Sequence, residues 1–192
     1  DGDDDLIARI AGEGGVFDFT KLNESGSPLS NQDAVYTVTP WSCVRDNVTG
    51  LMWEVKTIDG GLRDQNHTYT WYNSDSETNG GDAGTENGGT CVDSSNCDTE
   101  KYVTEVNNAG LCGHSDWRLP TPAELAGIVD HHTTDPAVDT SYFPNTRTAS
   151  YWSASPYAGN SGYAWYVGFY EGFVNFISKD SAYSVRLVRG GQ

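Results

Sequence analysis

The stretch Trp165-Tyr-Val-Gly-Phe-Tyr-Glu-Gly-Phe-Val-Asn-Phe-Ile177 decides the fold class, because it predicts two strands joined at the turn Glu171-Gly172. Successive side chains of a strand point to opposite faces of its sheet. The first strand is therefore expected to pack one set of residues and to leave the other set free. The packed set is Trp165, Val167 and Phe169, and the free set is Tyr166, Gly168 and Tyr170.

Two helices are predicted before this hairpin. The segment from Thr99 to Gly110 carries apolar residues at helical spacing and ends on a glycine, which is typical of a helix C-terminus. A second helix is expected to begin after an N-cap at Thr121, since Pro122 follows it and Glu124 completes a capping box. Its expected buried residues are Leu125, Ile128 and Val129.

Short strands are predicted on both sides of these helices. Turn residues at Asp46-Asn47 and Thr49-Gly50, directly before an apolar run, indicate a tight hairpin. The predicted strands outside the deciding stretch are Val16–Leu22, Ala34–Val38, Leu51–Val55 and Tyr183–Val188. Together these patterns predict an α+β fold with two helices packed on small antiparallel β-sheets.

A chain of 192 residues with no break in composition fits one domain. The like-charge run that opens it indicates a linker or tail over residues 1–15, which leaves 16–192 as a single ligand-binding domain. Within that domain, residues 73–98 are rich in Gly, Asn, Asp, Ser and Thr and are expected to form an exposed insertion.

Four cysteines in a lysine-poor chain favour an oxidising, extracellular compartment and two disulfides over a metal site. Three pairings are open. Cys91 and Cys97 bracket a short polar loop, so we pair them, and by elimination we pair Cys43 with Cys112. The expected location is secreted or on the cell surface.

The formal net charge of −16 excludes several classes of partner. Phosphate backbones and anionic lipid surfaces bind proteins through clusters of Lys and Arg, which this composition does not favour. No apolar run approaches the length of a membrane-spanning helix. We therefore expect neither a nucleic-acid partner nor membrane insertion.

Several motifs together resemble the family named for the C-terminal domain of the Legionella collagen-like adhesin. They are Phe17-Asp-Phe-Thr-Lys-Leu22, Val44-Arg-Asp-Asn-Val-Thr-Gly-Leu-Met-Trp-Glu-Val-Lys-Thr57, Trp117-Arg-Leu-Pro-Thr121 with Glu124-Leu125, Tyr151-Trp-Ser153, and Val185-Arg-Leu-Val-Arg189. The resemblance implies a C-type-lectin-like fold of the formylglycine-generating-enzyme branch, used by bacterial and viral surface proteins to bind ligands. It also leaves a trimer open.

The segment 151–192 is similar to the variable region of proteins diversified by diversity-generating retroelements. In such regions AAC codons become other codons that end in C, which supply Asn, Tyr, Ser, Asp, Phe and Gly but never Trp, Lys or Glu. Glu171 therefore does not fit, whereas fifteen residues do and form the predicted ligand-binding set: Tyr157, Asn160, Ser161, Gly162, Tyr163, Tyr166, Gly168, Tyr170, Phe173, Asn175, Phe176, Ser178, Asp180, Ser181 and Tyr183.

The same residue types are those that binding loops favour, because Tyr gives broad contact at low entropy cost and Ser, Gly and Asn give adaptable hydrogen bonds. The blander interpretation is that these tyrosines are ordinary strand residues. The expected partner is a protein or glycan ligand on another cell or surface. The alternative function is a glycan-binding adhesin of fixed specificity, for which the resemblance implies sulfated polysaccharides that the net charge disfavours.

No catalytic motif stands out, and we expect no enzyme activity. Formylglycine-generating enzymes use reactive cysteines late in the chain, but no cysteine follows Cys112. His131-His132 with Asp130, Asp135 and Asp139 is interpreted as a solvated loop, since adjacent histidines rarely reach one metal ion. No cofactor is expected, with a structural calcium ion left open by the many carboxylates.

Overall fold

The structure of the protein is a computed structural model that describes residues 17–190. The tail predicted at 1–15 lies outside the described residues, and so does Val16 at the start of the first predicted strand. The placement of residues 16–192 in one ligand-binding domain stays a prediction.

Nine strands form three sheets in this part of the chain, and all of their pairings are antiparallel. The strands are β1 (Phe19–Leu22), β2 (Cys43–Asp46), β3 (Met52–Glu54), β4 (Tyr69–Thr70), β5 (Ser150–Pro156), β6 (Tyr163–Gly168), β7 (Phe173–Ser178), β8 (Ala182–Tyr183) and β9 (Val188–Arg189). The first sheet has the order β1-β2-β3-β9, the second pairs β4 with β8, and the third has the order β5-β6-β7. The predicted hairpins β2–β3 and β6–β7 are confirmed.

Two α-helices are described, α1 (Thr99–Ala109) and α2 (Pro122–Ala126), with a short 3-10 turn at Leu111–Gly113. Asp98 caps α1 by accepting a hydrogen bond from the Lys101 amide, and Gly110 ends the helix with a φ of 66°. Both helices begin where the sequence predicts them, but α2 ends at Ala126, so Ile128 and Val129 are buried beyond the helix and not within it. With the small antiparallel sheets they confirm the α+β class.

The predicted capping box begins α2. Thr121 accepts from the Glu124 amide at 3.2 Å, and the Glu124 carboxylate accepts from the Thr121 amide at 2.7 Å. The same carboxylate is held by two guanidinium nitrogens of Arg118, at 2.7 and 2.8 Å. Partial burial raises the pKa of Glu124, but these hydrogen bonds outweigh it and hold the pKa below its ordinary value.

We expect Glu124→Gln to lower the free energy of unfolding by about 1 kcal/mol, because it removes one charge-assisted pair and weakens the cap. Since the folded-state pKa is depressed, this difference should be present above about pH 5 and should fade as the pH falls further. Urea unfolding at a pH above and at a pH below this value measures the difference. Glu77→Gln, at an exposed site, is the control, and an equal loss in both variants would contradict the prediction.

The core is divided between the two faces of the β5–β6 ladder. Tyr151 and Val167 are opposite each other in the register and belong to one cluster, while Trp152 and Tyr166 are opposite each other and belong to the second. Large rings supply much of this core, as expected from the composition. Four tryptophans are fully buried: Trp53, Trp71, Trp117 and Trp152.

Both predicted disulfides are confirmed. Cys43–Cys112 joins β2 to the 3-10 turn after α1, and Cys91–Cys97 closes the short polar loop. Most of residues 73–98 are exposed or half-buried, with Asn79, Cys97 and Asp98 as the buried exceptions. The description of this segment as an insertion stays a prediction.

Two strand predictions are wrong. Residues 34–38 form turns, in which the amides of Val38 and Thr39 both donate to the Val35 carbonyl, so alternating apolar residues here reflect no sheet. Tyr183–Val188 is not one strand, because the chain leaves β8 and joins a different sheet as β9. Between them, the Leu187 amide donates to the buried Glu54 carboxylate instead of to a neighbouring strand.

Candidate ligand-binding surface

Fourteen of the fifteen predicted ligand-binding residues lie on the third sheet and on the loops at its ends, and Tyr183 lies on β8 of the second sheet. The register of β6 and β7 divides them between two faces, because paired residues of neighbouring strands share a face. One face has the pairs Trp165↔Phe176 and Val167↔Val174, and the other has Tyr166↔Asn175 and Gly168↔Phe173. The structure therefore does not bring the predicted set together on one flat surface.

Four rings gather on the first face, and we call them the outer aromatic cluster: Tyr157, Tyr163, Trp165 and Phe176. Tyr157 stacks on Phe176 with ring centroids 3.8 Å apart and planes 4° apart. Trp165 meets both of these rings edge-on, at 5.5 and 5.4 Å, and Tyr163 meets Phe176 at 6.2 Å. Packed rings on an accessible surface offer a preformed apolar contact area for a ligand.

Trp165 was expected in the core, and the structure corrects this. Its side chain is half-buried and belongs to the outer aromatic cluster, whereas Val167, two residues along the same face, is fully buried. The core cluster therefore covers only the end of this face nearer the β6–β7 turn. The rest of the face is covered by the outer rings alone.

Four other rings follow the second face, and we call them the inner aromatic row: Tyr166, Tyr170, Phe173 and Tyr183. Tyr166 meets Phe173 edge-on at 6.0 Å and Tyr183 at 5.0 Å, and Tyr170 stacks on Phe173 at 6.4 Å. Burial raises the pKa of both Tyr166 and Tyr183, so their hydroxyls stay protonated at neutral pH.

Tyr166 and Gly168 were expected on a free face, and both are buried. Tyr166 is 8% exposed because Trp152 and Tyr183 contact its ring, at 6.5 and 5.0 Å. The Phe173 ring lies directly over Gly168, where an added Cβ would stand 2.5 Å from a ring carbon. The prediction fails here because rings from β5, β7 and β8 cover this face of β6: Trp152 and Tyr183 cover Tyr166, and Phe173 covers Gly168.

The remaining predicted residues lie at the ends of the sheet. Asn160, Ser161 and Gly162 form the turn between β5 and β6, in which the Asn160 side chain accepts from the Gly162 amide. Ser178 and Ser181 face each other across the turn after β7, and Asp180 accepts a hydrogen bond from Thr85 in the polar segment. This end of the surface is therefore continuous with residues 73–98.

Lys179 holds the end of the third sheet against the polar segment 73–98. Its side chain is buried over the Trp71 ring at 4.2 Å, and its ammonium donates to the carbonyls of Asn79 and Asp82 at 2.9 and 2.6 Å. Burial lowers the pKa of Lys179, while the charge of Asp82 acts against this shift. These contacts give Lys179 a role in positioning the surface.

Val174 is a further exposed residue of this surface that the predicted ligand-binding set does not include. Val174 is 42% exposed although its partner Val167 is fully buried. All of β7 from Phe173 to Phe176 is exposed. Residue types do not predict this exposure. It arises because the next strand, β8, pairs in a different sheet and leaves β7 at the edge.

The surface offers rings, hydroxyls and amides rather than reactive groups. Within residues 17–190, no group of three or more His, Cys, Asp or Glu side chains is arranged to hold a metal ion. In the loop predicted to be solvated, the Asp130 carboxylate lies 3.3 Å from the His132 ring. The Asp139 carboxylate instead accepts a hydrogen bond from the Ser141 hydroxyl, so the two carboxylates have different partners. The arrangement is suited to binding by contact and hydrogen bonding.

A family model described as the Lcl C-terminal domain matches residues 42–189, which is well over half of the chain. No curated protein matches the chain. The match begins in front of β2 and includes the whole of the third sheet and β9. Within the described part of the chain, no helix has the length and apolar composition needed to cross a bilayer.

Proposed function

Because the chain belongs to the Lcl C-terminal domain family, we propose that it is a non-enzymatic, extracellular ligand-binding domain whose ligand contacts the third sheet. The family indicates an adhesin-like role at a surface, and two disulfides are compatible with an extracellular location. We further assign the chain a C-type-lectin-like fold.

The observation that carries the proposal is the exposure of large apolar side chains on one strand. Phe173, Val174 and Phe176 are 41%, 42% and 37% exposed, and Tyr170 beside them is 42% exposed. Single exposed apolar residues are ordinary, but four of them at one edge of a sheet, here divided between its two faces, mark a site of interaction. The stacked rings beside Phe176 extend this group into a broad contact area.

The variable-protein interpretation rests on the residue types of this surface. Exposed positions such as Asn160, Asn175 and Phe176 are types that AAC codons can reach, while the buried Trp152 and Lys179 are not. A retroelement that diversified such positions would change contacts and keep the core. Sequencing of the neighbouring DNA tests this: a reverse transcriptase and an adenine-rich near-copy of the segment encoding 151–192 are expected, and their absence would leave a fixed specificity.

Phe176→Ser is expected to weaken ligand binding at least about tenfold, because aromatic anchors dominate interface energies. Stability should change by no more than about 1 kcal/mol, since the side chain is already partly in solvent. The probes are a glycan array and a display library of random linear peptides, each presented to the wild type and the variant. Val38→Ser, at an 81% exposed site away from the third sheet, is the matched control.

Equal binding by Phe176→Ser and the wild type would remove the third sheet from the proposal. A heparin column separates the alternative function. Flow-through is expected, because the chain carries a net charge of −16. Retention at moderate salt would instead support a glycan-binding adhesin of fixed specificity.

A further inference from the structure

The third sheet ends in an open edge strand. β7 pairs with β6 on one side, and within residues 17–190 no strand pairs with its other side. Its sequence, Phe173-Val-Asn-Phe-Ile-Ser178, contains no charged residue and no proline. Natural edge strands are usually protected by charges, prolines or bulges, because an unprotected edge accepts a further strand. This edge has none of the three within its six residues.

The hydrogen-bond pattern shows which backbone groups face outward. The Lys179 amide donates to the Gly162 carbonyl, and hydrogen-bonded pairs alternate along an antiparallel ladder. Phe173, Asn175 and Ile177 therefore direct their peptide groups at β6. Val174 and Phe176 direct theirs at solvent, and the Asn175 side chain accepts the outward Phe176 amide at 2.8 Å. Among residues 17–190, no side chain covers the Val174 amide or carbonyl in this way.

An open edge would explain how one ligand reaches both aromatic groups. The outer aromatic cluster and the inner aromatic row lie on opposite faces of the sheet, so a partner resting on one face would leave the other untouched. A strand added beside β7 places successive side chains on alternate faces. Its side chains would contact Phe176 and Val174 on one face and Phe173 on the other.

We infer that β7 binds its ligand by strand addition, and that the ligand is an extended polypeptide segment. This inference rests on the proposed function and names the partner of that surface. Backbone hydrogen bonds to the Val174 amide and carbonyl and to the Phe176 carbonyl supply the docking register, while the Phe176 amide is held by the Asn175 side chain. The two aromatic groups select apolar side chains at alternating positions of the segment.

Charge defines the partner further. Glu171 stands before β7 and Asp180 follows it, so an added strand meets a carboxylate near each end. Together with the net charge of −16, this favours a segment with neutral or basic flanks. The same charge disfavours a second copy of this chain as the added strand, because two such copies repel each other.

The test uses peptides selected from a random linear display library on the immobilised full chain. Val174→Pro removes the outward amide alone, and proline is tolerated on an edge strand where its nitrogen faces solvent. Val174→Thr keeps the amide and a similar shape and is the matched control. We expect Val174→Pro to weaken peptide binding at least about tenfold relative to Val174→Thr, whose own loss measures the side-chain contact alone. Circular dichroism and thermal unfolding confirm that both variants fold.

A second measurement does not depend on the variant folding. N-methylation is scanned along the selected peptide against the wild-type chain, and binding should fall at every second residue, where the peptide amide faces β7. A uniform or patternless effect would overturn strand addition.

The other outcomes separate this inference from the proposed function. If peptides bind and Phe176→Ser weakens them while Val174→Pro does not, the surface binds side chains only and strand addition is wrong. Glycan binding without any selected peptide would likewise overturn strand addition and leave the proposed function standing. Failure of both probes would overturn both. Self-association that Val174→Pro abolishes, measured by sedimentation, would make a second copy the occupant and overturn the polypeptide ligand.

Discussion

Trp152→Ala is expected to lower the free energy of unfolding by about 3–5 kcal/mol, which would unfold a marginal domain. Trp152 is fully buried on β5, and its indole donates to the Tyr69 carbonyl at 2.8 Å. Its ring also contacts Tyr183 at 4.9 Å, so the truncation leaves both a cavity and an unpaired carbonyl. Urea denaturation with the disulfides intact measures the loss.

Trp165→Ala is the matched control, because it removes the same side chain from the half-buried outer aromatic cluster. Trp165→Ala should lower the free energy of unfolding clearly less than Trp152→Ala does. For the same reason Tyr166→Ser should destabilise the protein more than Tyr170→Ser, whose effect should be about 0.5 kcal/mol, as is usual for surface residues. If Trp165→Ala matches Trp152→Ala, the division of β6 between core and surface described above is incorrect.

Glu54→Gln is expected to cost about 3–5 kcal/mol, the usual result of breaking a buried ion pair from one side. The Glu54 carboxylate accepts from the Lys56 ammonium at 2.9 Å, from the Tyr102 hydroxyl and from the Leu187 amide. Arg186 is buried nearby, with its guanidinium 4.9 Å from the centre of the Phe143 ring. Removing this one negative charge leaves two buried cations near each other.

The pH dependence of this variant has a definite sign. Burial lowers the pKa of Lys56, and the charge of Glu54 acts against that shift, so the variant should lower the pKa further. A lysine with a depressed folded-state pKa releases its proton as the pH rises, which relieves the cost of its burial. The stability loss should therefore be larger at about pH 6 than at about pH 9.

The double variant Glu54→Gln with Lys56→Met is the control, because it removes the uncompensated ammonium together with its partner. It should recover a large part of the loss, since apolar replacements of buried pairs are often near neutral. Unfolding at both pH values measures all three proteins. A double variant that is less stable than Glu54→Gln, or a loss that grows with pH, would contradict the electrostatic explanation.

Local signals in the sequence were enough to predict the helices, the hairpins and the Cys91–Cys97 disulfide, and the second disulfide followed by elimination. The capping box at Thr121 and the glycine at Gly110 act within one turn of a helix, so neighbouring residues determine them. The pairing of Cys91 with Cys97 follows from a sequence separation of only six. Each of these features is decided by interactions between residues close in the chain.

The face that β6 presents to solvent could not be predicted, because distant residues determine it. Alternation correctly separates Trp165 from Tyr166, but it does not say what lies above each one. Tyr166 is covered because β8 pairs with β4 and brings Tyr183 onto its ring. The pattern over 34–38 failed for a related reason, since alternation without a partner strand gives no sheet.

The exposure of β7 makes this chain a usable starting point for engineered binders. Residues 173–176 are all exposed and none belongs to the two core clusters, so a combinatorial library could replace their side chains while the core stays packed. Lys179 would have to be kept in every library member, because its ammonium holds the carbonyls of Asn79 and Asp82. Random exchange at that one position would be expected to lower the yield of folded clones more than exchange of the whole strand.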